Sequence, residues 1–274
     1  MTIGGRLADS NGVDSGTCYL VFGKSSFGPE LELSSLDGVS GFAIHGSTAG
    51  DRTGQPNSSF GDINGDHFDD LIISSSTGDS FVVFGKASGY TPTFDLSSLD
   101  GNNGFVVTTI DDSDLLAGAF LSAAADVNGD GFDDLVVGAD NADPSGIRSA
   151  GETYVVYGRT SGFPAELALA SINGENGYVL HGNEAYGRSG LPTLGGDVNG
   201  DGFDDLLVQG VSLNWQGVTK NYVVFGSDRT GAVTQSGTAS DDILTGDAAN
   251  NVRVGGQAND TRVGNGGADV LRGG

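Results

Sequence analysis

The sequence has one cysteine, one tryptophan, six prolines and only three lysines in 274 residues. A single thiol excludes an intrachain disulfide and a thiolate metal cluster. Cys18 lies in the run Cys-Tyr-Leu-Val-Phe, where its expected role is that of a small buried apolar side chain. Long apolar runs are missing as well. Nothing approaches the roughly 18 residues of a membrane span, and Met1–Ser10 lacks the basic start and apolar stretch of a secretory signal. Export would therefore need a different signal. The glycine spacing excludes long helices: 48 glycines leave no gap longer than the 13 residues Phe105–Ala117, and each Gly costs a helix interior about 1 kcal/mol relative to Ala. Positive charge is scarce, with 12 Lys+Arg against 36 Asp+Glu and a formal charge of −24. That sign excludes non-specific binding to nucleic acid or to an anionic membrane.

An internal repeat fills most of the chain. The octets Gly16–Gly23, Gly78–Gly85 and Gly151–Gly158 share an apolar centre ending in Phe-Gly or Tyr-Gly, and Asn221–Gly226 is a fourth, shorter copy. Their terminal glycines are 62, 73 and 68 residues apart. Each of the first three octets is followed by Leu33-SSLDG, Leu96-SSLDG or Leu169-ASING, and then by Gly41-FAIHG, Gly104-FVVTT or Gly177-YVLHG. Runs of four to six Val, Ile, Leu, Phe or Tyr residues bounded by Gly, Asn, Asp or Ser predict short strands. Four are expected per unit, for example Leu121–Ala125, Leu135–Ala139, Thr153–Tyr157 and Tyr178–Leu180. Runs apolar on both faces require cover on both faces, so the sheets must stack on one another. The expected fold class is all-β, a β-propeller of four-stranded antiparallel blades over residues 1–232, with three full units and a leading partial one.

Three acidic segments carry the chemistry: Asp62-INGDHFDD, Asp126-VNGDGFDD and Asp197-VNGDGFDD. Oxygen side chains fall at loop positions 1, 3, 5 and 9 with a backbone carbonyl at position 7, the ligand order of an EF-hand loop without its last Glu. Hard cations prefer all-oxygen shells, and a flexible loop suits Ca²⁺ better than the stricter octahedron of Mg²⁺. The candidate ligands are Asp62, Asn64, Asp66, the Phe68 carbonyl and Asp70 in the first loop. The second offers Asp126, Asn128, Asp130, the Phe132 carbonyl and Asp134, and the third Asp197, Asn199, Asp201, the Phe203 carbonyl and Asp205. Position 6 calls for positive φ, which Gly131 and Gly202 adopt freely and His67 does not, so the first site should be the weakest or most strained. A plain tight turn is the alternative, but three carboxylates within nine residues repel one another without a counter-ion. Asp69, Asp133 and Asp204, at position 8, are expected to face solvent.

These residues, with Val137-Gly138-Ala139, make residues 1–230 resemble the FG-GAP repeats of integrin α-subunit propellers and of bacterial integrin-like proteins. The resemblance implies one blade per repeat, a Ca²⁺ loop joining the two inner strands, and an adhesive role toward a protein or glycan ligand at the cell surface. Such propellers have seven blades. Met1–Gly5 aligns with the end of a second strand, so either further blades come from a longer chain or an oligomer, or the chain closes as a four-bladed ring.

After Gly231, Asp242, Asn251, Asp260 and Asp269 recur every nine residues, the period of a parallel β-roll. Residues 233–274 resemble degenerate RTX repeats, which implies further weak Ca²⁺ sites at Asp260 and Asp269 and export of the full-length protein by type I secretion. Arg253 and Arg262 stand where the roll interior takes Leu244 and Leu271, and an unpaired buried Arg is costly. A disordered acidic tail is the alternative.

No Gly-x-Ser-x-Gly, Walker loop or His-Glu-x-x-His motif is present, and no catalytic residue is assigned. His45 and His181 hold the same place in two repeats, which marks architecture. Trp215 is read as a packed loop anchor. The expectation is a calcium-binding, non-enzymatic, extracellular interaction module, with an accessory domain of a secreted hydrolase as the alternative.

Overall fold

The structure, a computed structural model, describes residues 1–26, 28–54, 58–108, 120–210 and 220–273; Trp215 lies outside them. The chain opens with β1 (Thr2–Gly5), β2 (Thr17–Val21) and β3 (Gly41–His45). The second unit contains β4 (Ser58–Gly61), β5 (Asp70–Ser74), β6 (Ser80–Val83), β7 (Thr93–Asp95) and β8 (Gly104–Thr108). The third repeats it with β9 (Phe120–Ala125), β10 (Asp134–Ala139), β11 (Glu152–Val156), β12 (Glu166–Ala168) and β13 (Gly177–His181). The fourth holds β14 (Ser189–Gly196), β15 (Asp205–Gly210) and β16 (Asn221–Val224).

Antiparallel pairing runs β4-β5-β6-β8 in the second unit and β9-β10-β11-β13 in the third. The four strands expected around residues 121–180 are therefore present within two residues of their expected ends. β1 pairs with β2 in the place that β10 takes beside β11, as the alignment of Met1–Gly5 with a second strand requires. Among the described residues two sheets reach four antiparallel strands. β1-β2-β3 and β14-β15-β16 have three each.

The sequence pattern gives no sign of β7 and β12. Each leaves its own unit and adds in parallel to the last strand of the preceding one, β7 to β3 and β12 to β8. The Leu-Ser-Ser and Leu-Ala-Ser motifs that follow form single 3₁₀ turns, and these plug Leu96 and Leu169 into the core. The first sheet is thus strapped to the second unit, and the second sheet to the third.

Alternation along the strands divides the core into three layers. Leu71, Ile73, Phe81 and Val83 pack with Cys18, Phe42 and Ile44 between the first two sheets, while Ile72 and Val82, on the opposite face, meet Leu135, Val137, Tyr154 and Val156. Val136 and Val155 then pack with Leu206 of the fourth sheet. Every one of these side chains is at most 5% exposed. A strand apolar on both faces exists here because a sheet lies on each side of it. The first strands β4, β9 and β14 lie against one another, which brings the loops after them to one end of the stack.

The C-terminal segment is built differently. β17 (Gln235–Ser236), β18 (Ile243–Thr245), β19 (Val252–Val254), β20 (Thr261–Val263) and β21 (Val270–Arg272) alternate between two parallel sheets, β17-β19-β21 and β18-β20. Partners are 18 residues apart, as in Arg253 beside Leu271. A nine-residue period folded into two sheets gives this spacing.

Candidate metal centre

The three acidic segments form hairpin loops joining β4 to β5, β9 to β10 and β14 to β15, and all three share one hydrogen-bond pattern. The position-1 carboxylate folds back over its own loop. Asp62 accepts N–H bonds from Gly65, Asp66 and His67 at 2.8, 3.0 and 2.9 Å. Asp126 accepts from Asp130 and Gly131 at 3.0 and 2.7 Å, and Asp197 from Gly200, Asp201 and Gly202 at 2.7, 3.1 and 2.7 Å. The position-3 amides Asn64, Asn128 and Asn199 accept the N–H groups of Asp66, Asp130 and Asp201 and donate back to their carboxylates. Those carboxylates in turn accept the N–H groups of Phe68, Phe132 and Phe203 at 2.9, 3.0 and 3.0 Å. Candidate side-chain ligands 1, 3 and 5 are thereby gathered in each loop.

Position 9 explains why the loop and the distant Phe-Gly motif belong to one unit. Asp70, Asp134 and Asp205 are each fully buried. One oxygen accepts the position-2 N–H of Ile63, Val127 or Val198, and the other the octet-ending N–H of Gly85, Gly158 or Gly226, at 2.8–3.1 Å. Those glycines allow no Cβ. On Gly85, Gly158 or Gly226 it would stand 2.4–2.5 Å from the carbonyl oxygen of Asp69, Asp133 or Asp204.

His67 adopts φ 69°, and Gly131 and Gly202 adopt 96° and 88°, so the first loop carries the strain that a non-Gly residue incurs there. Burial and neighbouring carboxylates act on the same groups. Burial pushes Asp70 up to about 7, against two backbone N–H bonds, with the charges of Asp66 and Asp62 adding to the rise. In the second loop burial lifts Asp126 to about 6, Arg272 opposes this, and Asp130 reinforces it. Burial also raises Asp134 well above the usual carboxylate range, with Asp126 and Asp130 contributing. Among the described residues no three acidic or imidazole side chains are already drawn around one point. The donor set nevertheless fits a hard divalent cation. It consists only of oxygens and carries three carboxylates per loop, and Arg272 beside Asp126 is the one Lys or Arg paired with them among the described residues.

The solvent-facing role expected for position 8 is corrected for two of its three residues. Asp133 accepts the N–H of Asp62 at 2.8 Å, and Asp204 that of Asp126 at 3.2 Å. The N–H groups of Asp133 and Asp204 return to the carbonyls of Asp62 and Asp126. Each later loop is thus clasped to the one before it. The adjacent Phe132 and Phe203 rings lie over Gly65 and Gly129, where a Cβ would stand 2.2 and 2.4 Å from ring carbons. Phe68 and Asp69 are exposed, since residues 1–61 contain no preceding loop for them to clasp. The invariant Asn-Gly at positions 3 and 4 was the sequence signal for this contact, but its turn propensity hid it.

The two C-terminal candidates, Asp260 and Asp269, already have protein partners. Asp260 accepts the N–H of Asp242 and lies 3.6 Å from Arg262, and Asp269 accepts that of Asn251 and lies 3.7 Å from Arg253. Arg253, 1% exposed, also bonds Gln235 at 2.9 Å and Asn251. The arginines expected to disrupt the roll interior instead supply its positive charge.

Residues 113–156 match the FG-GAP repeat. The chain is 36% identical over 113 residues to phosphatidylinositol-glycan-specific phospholipase D of Rattus norvegicus, covering 40% of this chain and 13% of that protein. It is 38% identical over 88 residues to integrin alpha-PS2 of Drosophila melanogaster, covering 31% and 6%. To integrin alpha pat-2 of Caenorhabditis elegans it is 32% identical over 158 residues, covering 54% and 12%. The chain thus spans about an eighth or less of each relative, and what it shares with them is an integrin-like, propeller-type repeat carrying FG-GAP sequence.

Proposed function

We propose that this chain is a calcium-stabilised, integrin-like interaction module that acts at the cell surface or outside the cell, with its stacked sheets serving as propeller blades. The observation that carries the proposal is the triplicate all-oxygen loop, each copy anchored by a buried Asp to the Phe-Gly turn. Calcium bound by Asp62, Asn64, Asp66 and Asp70, and by their equivalents in the other loops, would supply the charge that keeps these carboxylates ionised. Its role is structural, and the partner is a protein or glycan that meets the propeller surface.

At Kd values of about 10⁻⁴–10⁻³ M, usual for extracellular modules, 10 mM calcium stabilises each independent site by about 1.4–2.7 kcal/mol. The test is thermal melting with calcium and with excess chelator, on the natural chain and on Asp126→Ala and Asp197→Ala. The calcium-dependent rise should shrink in each variant. An identical melt with and without chelator defeats the proposal.

A second reading rests on the similarity to the phospholipase: the repeats are an accessory, non-catalytic part of a secreted enzyme. Binding of the chain to immobilised glycans and proteins, compared with binding to phosphatidylinositol-glycan substrate, separates the two.

A further inference from the structure

The roll does not merely follow the stacked sheets; it covers two of the three loops. In β19 and β21 Arg253 pairs with Leu271 and Val254 with Arg272. Alternation therefore sends Arg253 inward and puts Val252, Val254, Val270 and Arg272 on the opposite face. That face meets the loops. Val254 packs where a Cβ on Gly202 would stand, 2.2 Å from its Cγ1, and Val270 packs on Gly131 at 2.5 Å by the same measure. Gln257 donates to the Asn199 carbonyl at 2.6 Å. Glycine at position 6 thus has a second reason in these loops, because a side chain there would displace the roll. In the first loop, which the roll leaves bare, the corresponding His67 side chain is 95% exposed.

Arg272 reaches furthest. Its guanidinium is paired with the Asp126 carboxylate, donates to the Asp126 carbonyl at 3.1 Å, and donates to Asp204 at 3.2 Å. Asp126 is the position-1 ligand of the second loop, and Asp204 is the residue that clasps the third loop to it. Among the described ion pairs no Lys or Arg lies beside the first loop, where the His67 ring stands 3.8 Å from Asp62, or beside the candidate ligands of the third.

We propose that the C-terminal roll is an intramolecular cap on the loop face, and that Arg272 is a tethered cation that competes with a divalent ion for the second loop. This rests on the calcium reading of the loops. Two positive groups cannot share the Asp126 carboxylate without mutual repulsion, so occupancy of the loop by calcium loosens the roll, and removal of the guanidinium favours calcium. The second site is therefore the weakest of the three in the natural chain, although its own loop has the unstrained glycine.

The test is calorimetric titration of the chelated full chain with calcium chloride, for the natural sequence, Arg272→Gln and Arg272→Lys. In parallel, hydrogen exchange is followed at Val252–Val254 and Val270–Arg272. Arg272→Gln should tighten one site by about 5- to 150-fold, the usual range of linked coupling, and leave the other two unchanged. Arg272→Lys should keep that site weak. Calcium should speed exchange in β19 and β21 of the natural chain, whereas in Arg272→Gln exchange is fast before calcium is added. Three sites unaltered by Arg272→Gln, a weaker site in that variant, or exchange slowed by calcium would overturn the competition while leaving the calcium reading intact. No binding heat in any of the proteins would overturn both.

Discussion

Raising the pH from 5 to 7 in the presence of chelator should destabilise this protein, the reverse of what surface ion pairs alone would give. Asp70 and Asp126 are at most 4% exposed, and burial holds their carboxyls at about 7 and about 6 instead of 3.8. Between these limits the folded state keeps protons that the unfolded chain has released. Their stabilising effect is complete below about pH 4 and is lost as the pH rises through 6 and 7. Over pH 5–7 the loss is roughly 2 kcal/mol from Asp70 and roughly 1 kcal/mol from Asp126, and Asp134 acts in the same direction. Asp37, lowered to about 2 chiefly by the Ser40 N–H, contributes in the opposite sense, but its contribution is complete by pH 5. For a chain of this size roughly 3 kcal/mol corresponds to a fall in Tm of about 6–12 °C. Differential scanning calorimetry at constant ionic strength measures it. Calcium requires the deprotonated ligands, so in 10 mM calcium the fall should vanish or reverse. A chelated Tm that is flat or climbs from pH 5 to 7 would refute the claim that uncompensated burial governs these carboxylates.

Gly158→Ala, whose methyl would meet the Asp133 carbonyl at 2.4 Å and the Phe132 Cβ at 2.7 Å, should cost about 1–3 kcal/mol in urea denaturation; a change under about 0.5 kcal/mol counts against the close approach. Asp133→Ala should cost about 1–3 kcal/mol by leaving the Asp62 N–H unpaired, while the exposed Asp69→Ala stays within about 0.5 kcal/mol. Equal effects from the two variants would remove the clasp between loops. Arg253→Ala should cost the roll about 3–5 kcal/mol and speed hydrogen exchange in β19, because Asp269 loses its counter-charge; Arg253→Met with Asp269→Asn should recover much of the loss. No recovery in the double variant would argue that the guanidinium acts through packing alone.

The repeat made the fold legible because local pattern and tertiary packing agree in it. Val-Val-Phe-Gly, apolar on both faces, requires cover on both sides, and the stacked sheets provide that cover. The order of oxygen side chains at positions 1, 3, 5 and 9 is equally plain, since one short loop holds all of them. What stayed hidden depends on two separate segments. Neither β7 nor β12 has enough pattern in three residues to announce a parallel partner in another unit. Asp133 and Asp204 look like surface acids because their partners are backbone N–H groups 71 and 78 residues away. Arg253 looks like a defect in the sequence alone, which does not show that Asn251, Gln235 and Asp269 surround it.

The glycines connect these cases. Gly85, Gly158 and Gly226 admit the backbone of their own sheet's acidic loop, Gly158 and Gly226 that of the preceding loop as well, Gly65 and Gly129 receive a Phe ring from the next loop, and Gly131 and Gly202 receive the valines of the roll. Turn preference alone accounts for only some of them: Gly158 and Gly226 carry no positive φ, yet neither tolerates a Cβ. Each marks a place where one segment's backbone must touch another segment, and together they lead from the sheets, through the acidic loops, to the C-terminal cap. A cation bound in one loop would therefore act on more than its own hairpin. It would fix the Asp that holds the Phe-Gly turn of its own sheet, and through the position-8 Asp and the Phe ring it would bear on the neighbouring loop as well. Metal loss from a middle loop should accordingly loosen both neighbouring sheets, which ties the stability of the stack to its charge balance as closely as to its core.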